Sequence, residues 1–125
     1  AHMFTEFGWR AVLGITIATL AYYAAHEIAH SLIGKRAGAL GNWRLEKWVR
    51  EGLADYVGFG GEVDIDALTA ALKAGAPEMD PIRSGLYARY RLLVAHTLTR
   101  HRWTVDQLLP ANPPITAAEQ ELLAQ

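Results

Sequence analysis

His26 and His30 stand four residues apart with Glu27 after the first of them, the pattern HExxH, in a stretch that reads as helix. Residues four apart share one helical face, so both imidazoles can reach a single ion. Neutral imidazole nitrogen suits zinc, and a catalytic zinc takes three protein ligands and keeps a fourth position for water. Glu27 then sits beside such an ion without ligating it. From there it can take a proton from metal-polarised water and deliver one to a leaving group. At this chain's residue frequencies the pattern arises by chance on the order of 0.01 times, so zinc binding is the expectation. By chemistry alone the third ligand is open among Glu46, Glu51, Asp55, His96 and His101.

Composition narrows what surrounds this motif. The chain has 125 residues and no cysteine, so any metal is held by histidine and carboxylate, and disulfide-stapled or Cys-ligated folds are excluded. Lysine plus arginine is 12 against 13 aspartate plus glutamate, which removes the driving force for sequence-independent nucleic-acid binding. A hydrophobic content of 51% excludes disorder and supplies one core. Ala1-His2-Met3 reads as a cloning scar, leaving 4–125 as a single zinc-binding domain. Composition assigns no compartment: a cytoplasmic chain and an exported chain relieved of its leader read alike.

The elements that must position the motif read as mainly α, with no strand alternation flanked by turns. A first helix is expected from an N-cap at Thr5 to about Lys35, stopped by Gly34 and Gly38. Its run from Ala11 to Ala25 is fifteen residues without a charge, short of the roughly 20 that a membrane span wants. A buried central helix is therefore expected, with a lipid-facing segment as the alternative. A second helix is expected over Trp43–Val57, ended by Gly58-Phe59-Gly60-Gly61. A third, capped by Asp64 or Asp66, should close near Ala74 with Gly75 after it. Asp80-Pro81 should open a fourth helix running to about Arg100. Thr104 with Gln107, and Thr116 with Glu119, should open two short helices separated by Pro110, Pro113 and Pro114.

The segment Trp48-Val49-Arg50-Glu51-Gly52-Leu53-Ala54-Asp55-Tyr56 resembles the W-x-x-E-G-x-A-x-Y signature of the gluzincin clan, the thermolysin-like and aminopeptidase-like zinc peptidases. Together with HExxH it covers His26 to Tyr56, about a quarter of the chain. The resemblance implies Glu51 as third zinc ligand, beside His26 and His30. It also implies Asp55 as the carboxylate that orients a ligand histidine, a role outer carboxylates commonly take in zinc sites. The segment from Tyr87 to Leu109 is similar to the clan's following helix, with His101-Arg102 before Trp103 where a glycine is frequent. Clan enzymes place a tyrosine or histidine to stabilise the oxyanion, which makes Tyr87, Tyr90 and His96 the candidates. Gly52 should let the second helix approach the first, Trp48 should pack, and Arg83, Arg89 and Arg91 should be solvated or bind a substrate carboxylate.

The resemblance implies a zinc-dependent hydrolase, a metallopeptidase acting on peptide or protein substrate, with Glu27 as general base and acid. Its two motif-bearing helices should face each other around Zn2+. Clan members carry a sheet before the HExxH helix whose edge strand holds the substrate. Here the 25 residues before His26 read as helix. Three outcomes are open: a minimal peptidase for short or unstructured substrates, the catalytic piece of a larger membrane-associated protease, or a non-catalytic zinc-stabilised binding or regulatory domain. Membrane contact is the less favoured of the partner readings, and nucleic acid is not expected.

Overall fold

The computed structural model describes residues 6–125, with side chains from residue 8 onward; Ala1-His2-Met3, read above as a scar, and the expected Thr5 cap lie outside them. The protein is mainly α, 79% helical, with no strand among the described residues. Its helices are α1 (Glu6–Arg44), α2 (Lys47–Gly58), α3 (Ile65–Lys73), α4 (Pro81–Ser84), α5 (Ala88–Thr99), α6 (Val105–Ala111) and α7 (Ile115–Leu123), with a 3-10 turn at Pro77–Met79. Helix α2 is the centre, packed between α1 and α5, while α3 and α7 lean on α5.

The core is one cluster. Trp48, Val49 and Leu53 of α2 meet Leu92, Leu93 and Val94 of α5, closed by Ile33, Leu108, Ala118 and Leu122. Trp48 packs as expected and donates its indole N–H to the carbonyl of Pro113 at 2.8 Å. Gly52 faces α5 rather than α1. A methyl group there would meet the Tyr90 carbonyl oxygen at 2.6 Å and Val94 Cγ2 at 2.9 Å. The close approach to α1 belongs instead to Gly58, where a methyl would lie 2.7 Å from the Tyr22 ring.

Helix boundaries depart from expectation in places with physical causes. Helix α1 runs through Gly34 and breaks only at Gly38, which adopts φ 75° and ψ 167°. Helix α2 starts at Lys47, later than Trp43. Asn112 accepts from the Glu46 N–H at 2.8 Å and donates to the Arg44 carbonyl at 3.1 Å, so a distant side chain sets this boundary. Asp64 caps α3 through the Ala67 N–H, and Gly75 follows at φ 68°. The expected long fourth helix is split. Asp80 caps α4, but Gly85 turns left-handed at φ 70° and α5 begins only at Ala88. Thr104 and Gln107 form their capping box. Pro110, expected to separate two helices, lies inside the last turn of α6, where its missing N–H removes the helical bond to the Asp106 carbonyl. Thr116 forms no cap: α7 is entered through Pro114, and Glu119 pairs with Arg89 of α5.

The expectation of a buried first helix fails for its first half. Every residue from 9 to 21 is exposed, and α1 joins the body only from Tyr22 onward. The accessible surface is accordingly 8098 Å², roughly a fifth above that of a compact domain of this mass.

Two outcomes follow from the body. Arg102 holds φ 62°, a conformation that costs an L-residue about 1–2 kcal/mol and a glycine little. Arg102→Gly is expected to raise Tm by about 3–5 °C in thermal unfolding. His96, fully within the core, has its pKa lowered by burial and then by the cations of His101 and Arg100, against a smaller opposing effect of Glu121. The unfolded chain therefore takes up the proton first as pH falls. Stability is expected to drop as pH goes from about 7.5 downward through the ordinary histidine range near 6.5. Chelator-treated His96→Gln should show a shallower Tm-against-pH slope than the chelator-treated parent.

Candidate metal centre

Helix α1 presents His26 and His30 on one face, as their spacing requires, and α2 presents Glu51 toward them. His30 Nε2 lies 3.1 Å from His26 Nε2 and 3.1 Å from Glu51 Oε2, and His26 Nε2 lies 3.6 Å from the same oxygen. This group can hold a metal ion. Four ligands at the Zn–N distance of 2.0–2.1 Å on a tetrahedron stand roughly 3.3–3.4 Å apart, the spacing these three atoms already have. Two imidazole nitrogens and one carboxylate oxygen are a donor set that fits zinc, with room for water as fourth ligand. His26 is buried, while His30 and Glu51 are half-buried, so the centre is open on one side.

The remaining carboxylate oxygen of Glu51 faces Arg50 Nε at 3.7 Å, which leaves Oε2 turned to the histidines. Glu46, His96 and His101 stand outside the group. Glu46 precedes α2, His96 lies in the core, and His101 pairs with Glu121 at 3.8 Å.

Asp55, one turn after Glu51, is buried at 2% exposure and stands close to His26 without bonding it directly. Its Oδ1 is 3.9 Å from His26 Nδ1. The Tyr22 hydroxyl comes between them, donating to Asp55 Oδ1 and lying 3.4 Å from the same imidazole nitrogen. Arg91 donates to Asp55 Oδ2 at 2.5 Å and lays its guanidinium over the Phe59 ring at 3.9 Å. A buried carboxylate needs such partners, and these two give Asp55 both a hydrogen bond and a countercharge. Arg91 is thus held by Asp55 and Phe59 rather than solvated. Arg89 pairs with Glu119, and Arg83 is exposed.

Tyr22 is the residue that sequence reasoning missed. Its signal was its place four residues before His26, on the histidine face. Nothing in its type distinguished it from the neighbouring Tyr23.

A cavity of about 350 Å³ adjoins the cluster, lined by Tyr22, His26, Glu27, Asp55, Tyr87 and Arg91 among others. Glu27 is exposed on its wall. Tyr87 reaches the cavity because the Gly85 break ends α4 early. Its ring stacks on His26 with centroids 6.5 Å apart and planes 18° from parallel. Burial, followed by the charge of Glu51, pushes the Tyr87 pKa up, so its phenol stays a hydrogen-bond donor at neutral pH. Tyr90 is not on the wall; it stacks behind Tyr87 at 5.9 Å and packs on the core.

No family model, no curated protein and no solved structure matches this chain.

The two layers of this centre should separate in a zinc titration followed by a chromogenic chelator. Glu51→Ala, which removes a ligand oxygen, is expected to weaken binding by more than about 100-fold. Tyr22→Phe, which removes only the bridge to Asp55, should weaken it by about 10-fold, within the range of outer-partner losses. Equal affinity for Glu51→Ala and the parent would remove Glu51 from the ligand set.

Proposed function

We propose that this chain is a zinc-dependent hydrolase of the gluzincin kind, in its simplest form a metallopeptidase. The observation that carries the reading is the convergence of His26 Nε2, His30 Nε2 and Glu51 Oε2 from two helices beside a cavity that Glu27 shares. Zinc, when bound, supplies Lewis acidity toward water and a substrate carbonyl.

The chain's own residues then have separate tasks. His26, His30 and Glu51 hold the ion. Glu27, exposed at the cavity wall, takes the proton of the attacking water and returns it to the leaving nitrogen. Tyr87, kept protonated by its surroundings, donates to the oxyanion that develops on the carbonyl oxygen. Tyr90 positions the Tyr87 ring through their stack rather than touching substrate. Asp55 and Tyr22 steady the His26 imidazole from behind.

A second reading uses the same ligands differently. The described residues contain no strand to align an extended peptide, and an ion held jointly by α1 and α2 ties those helices together. The protein would then be a zinc-stabilised helical module whose metal contributes folding free energy.

One pair of proteins distinguishes the readings. Zinc-loaded parent and Glu27→Gln are compared on a mixed peptide library by mass spectrometry. The hydrolase predicts cleavage by the parent, a loss of at least about 1,000-fold in the variant, and unchanged zinc content in both. Zinc bound with no cleavage by either protein favours the structural module.

A further inference from the structure

We propose that the first half of α1 is seated in a lipid bilayer. The segment from Ala11 to Ala21 carries no charged or amide side chain, and it is exposed at every position. A helix that docks on one protein partner has an apolar stripe and a polar back. This one has no polar back. Val12, Leu13, Ile15, Ile17 and Leu20 are all at least 40% exposed and spread over much of the circumference. Gly14, Ala18 and Ala21 occupy the remaining arc. Water is the wrong solvent for every face of such a helix, and a hydrocarbon phase surrounds every face at once.

Three further features fit that solvent. The hydroxyls on the segment are satisfied within the helix: Thr16 donates to the Val12 carbonyl at 2.9 Å and Thr19 to the Ile15 carbonyl at 2.8 Å. No donor is thereby left facing the acyl chains. Exposed aromatic residues stand at both ends, Trp9 at one and Tyr23 at the other, the side chains favoured at membrane interfaces. Finally, Trp9 and Tyr23 stand fourteen residues apart, about 21 Å at 1.5 Å per residue. A hydrocarbon core of roughly 30 Å meets that length by local thinning.

The metal-binding group begins at His26, three residues after Tyr23. With the arm inserted, the cavity opens at the headgroup level. For the proposed hydrolase this selects polypeptide segments lying at a membrane surface, and that consequence alone rests on the hydrolase reading.

The absence of native cysteine allows a single probe to be placed. Ile17→Cys carrying an environment-sensitive fluorophore is mixed with phosphatidylcholine vesicles and floated on a density gradient. Insertion predicts co-flotation of most of the protein and a blue-shifted emission. It also predicts quenching that is strongest with lipids brominated near the acyl-chain ends. Leu13→Glu combined with Leu20→Glu should reduce flotation by at least 10-fold while thermal unfolding of the body is retained. Glu51→Ala should float like the parent, because the arm acts independently of the metal, so loss of the metal reading and loss of this one are separable. Protein left at the bottom of the gradient overturns the proposal, whether it is monomeric or paired through the arm. So does quenching confined to headgroup-level bromines.

Discussion

Two imidazole nitrogens and a carboxylate oxygen held within 3.6 Å of one another need protons or a cation among them. That requirement organises the rest of the site. Protons on the histidines can meet it in part, by bonding one acceptor each. A divalent ion meets it for all three atoms at once, and the separations match a tetrahedral edge. The demand extends outward. Asp55 is a second buried anion within one turn of Glu51, and the fold answers it with Arg91 and the Tyr22 hydroxyl. The outer carboxylate is neutralised by the chain, while the inner group, with Arg50 only at the far oxygen of Glu51, can hold an ion.

Such a cluster needs two helices brought close at a fixed rotation, and glycine supplies the closeness. Gly58 lets the end of α2 rest on the Tyr22 ring, and Gly52 lets its middle rest on the α5 backbone at Tyr90. Helix α2 is therefore held at its middle against α5 and at its end against α1, and Glu51, adjacent to the Gly52 contact, is presented to His30. Replacing either glycine with a larger residue would move a helix, and moving either helix opens the ligand triangle.

The parts of this arrangement legible in the sequence were those encoded by local spacing. The i, i+4 histidines, the i, i+4 pair of Glu51 and Asp55, the Asp64 cap and the Thr104 capping box depend on residues within one turn of each other. What was not legible depends on contacts across the chain. Asn112 decides where α2 begins from 66 residues away. Glu119 is drawn from a cap into an ion pair by Arg89, and Tyr22 is distinguished from Tyr23 only by what α2 places against it. The Asp80-Pro81 start was legible but the break at Gly85 was not read; its left-handed turn is what carries Tyr87 to the His26 ring.

The first half of α1 illustrates a different limit. Apolar periodicity reports that side chains avoid water but not what replaces the water, since a protein core and a lipid core select the same residues. The decision lies in the rest of the chain. The core formed by α2, α5 and their neighbours takes in Ile33 and Ala37 of α1, and Val12 through Leu20 lie outside it, exposed. For an apolar helix left over after the core is complete, the proposed bilayer supplies the nonpolar surroundings. Because α1 passes unbroken from that segment into His26, such a bilayer would also set where the metal-binding group stands.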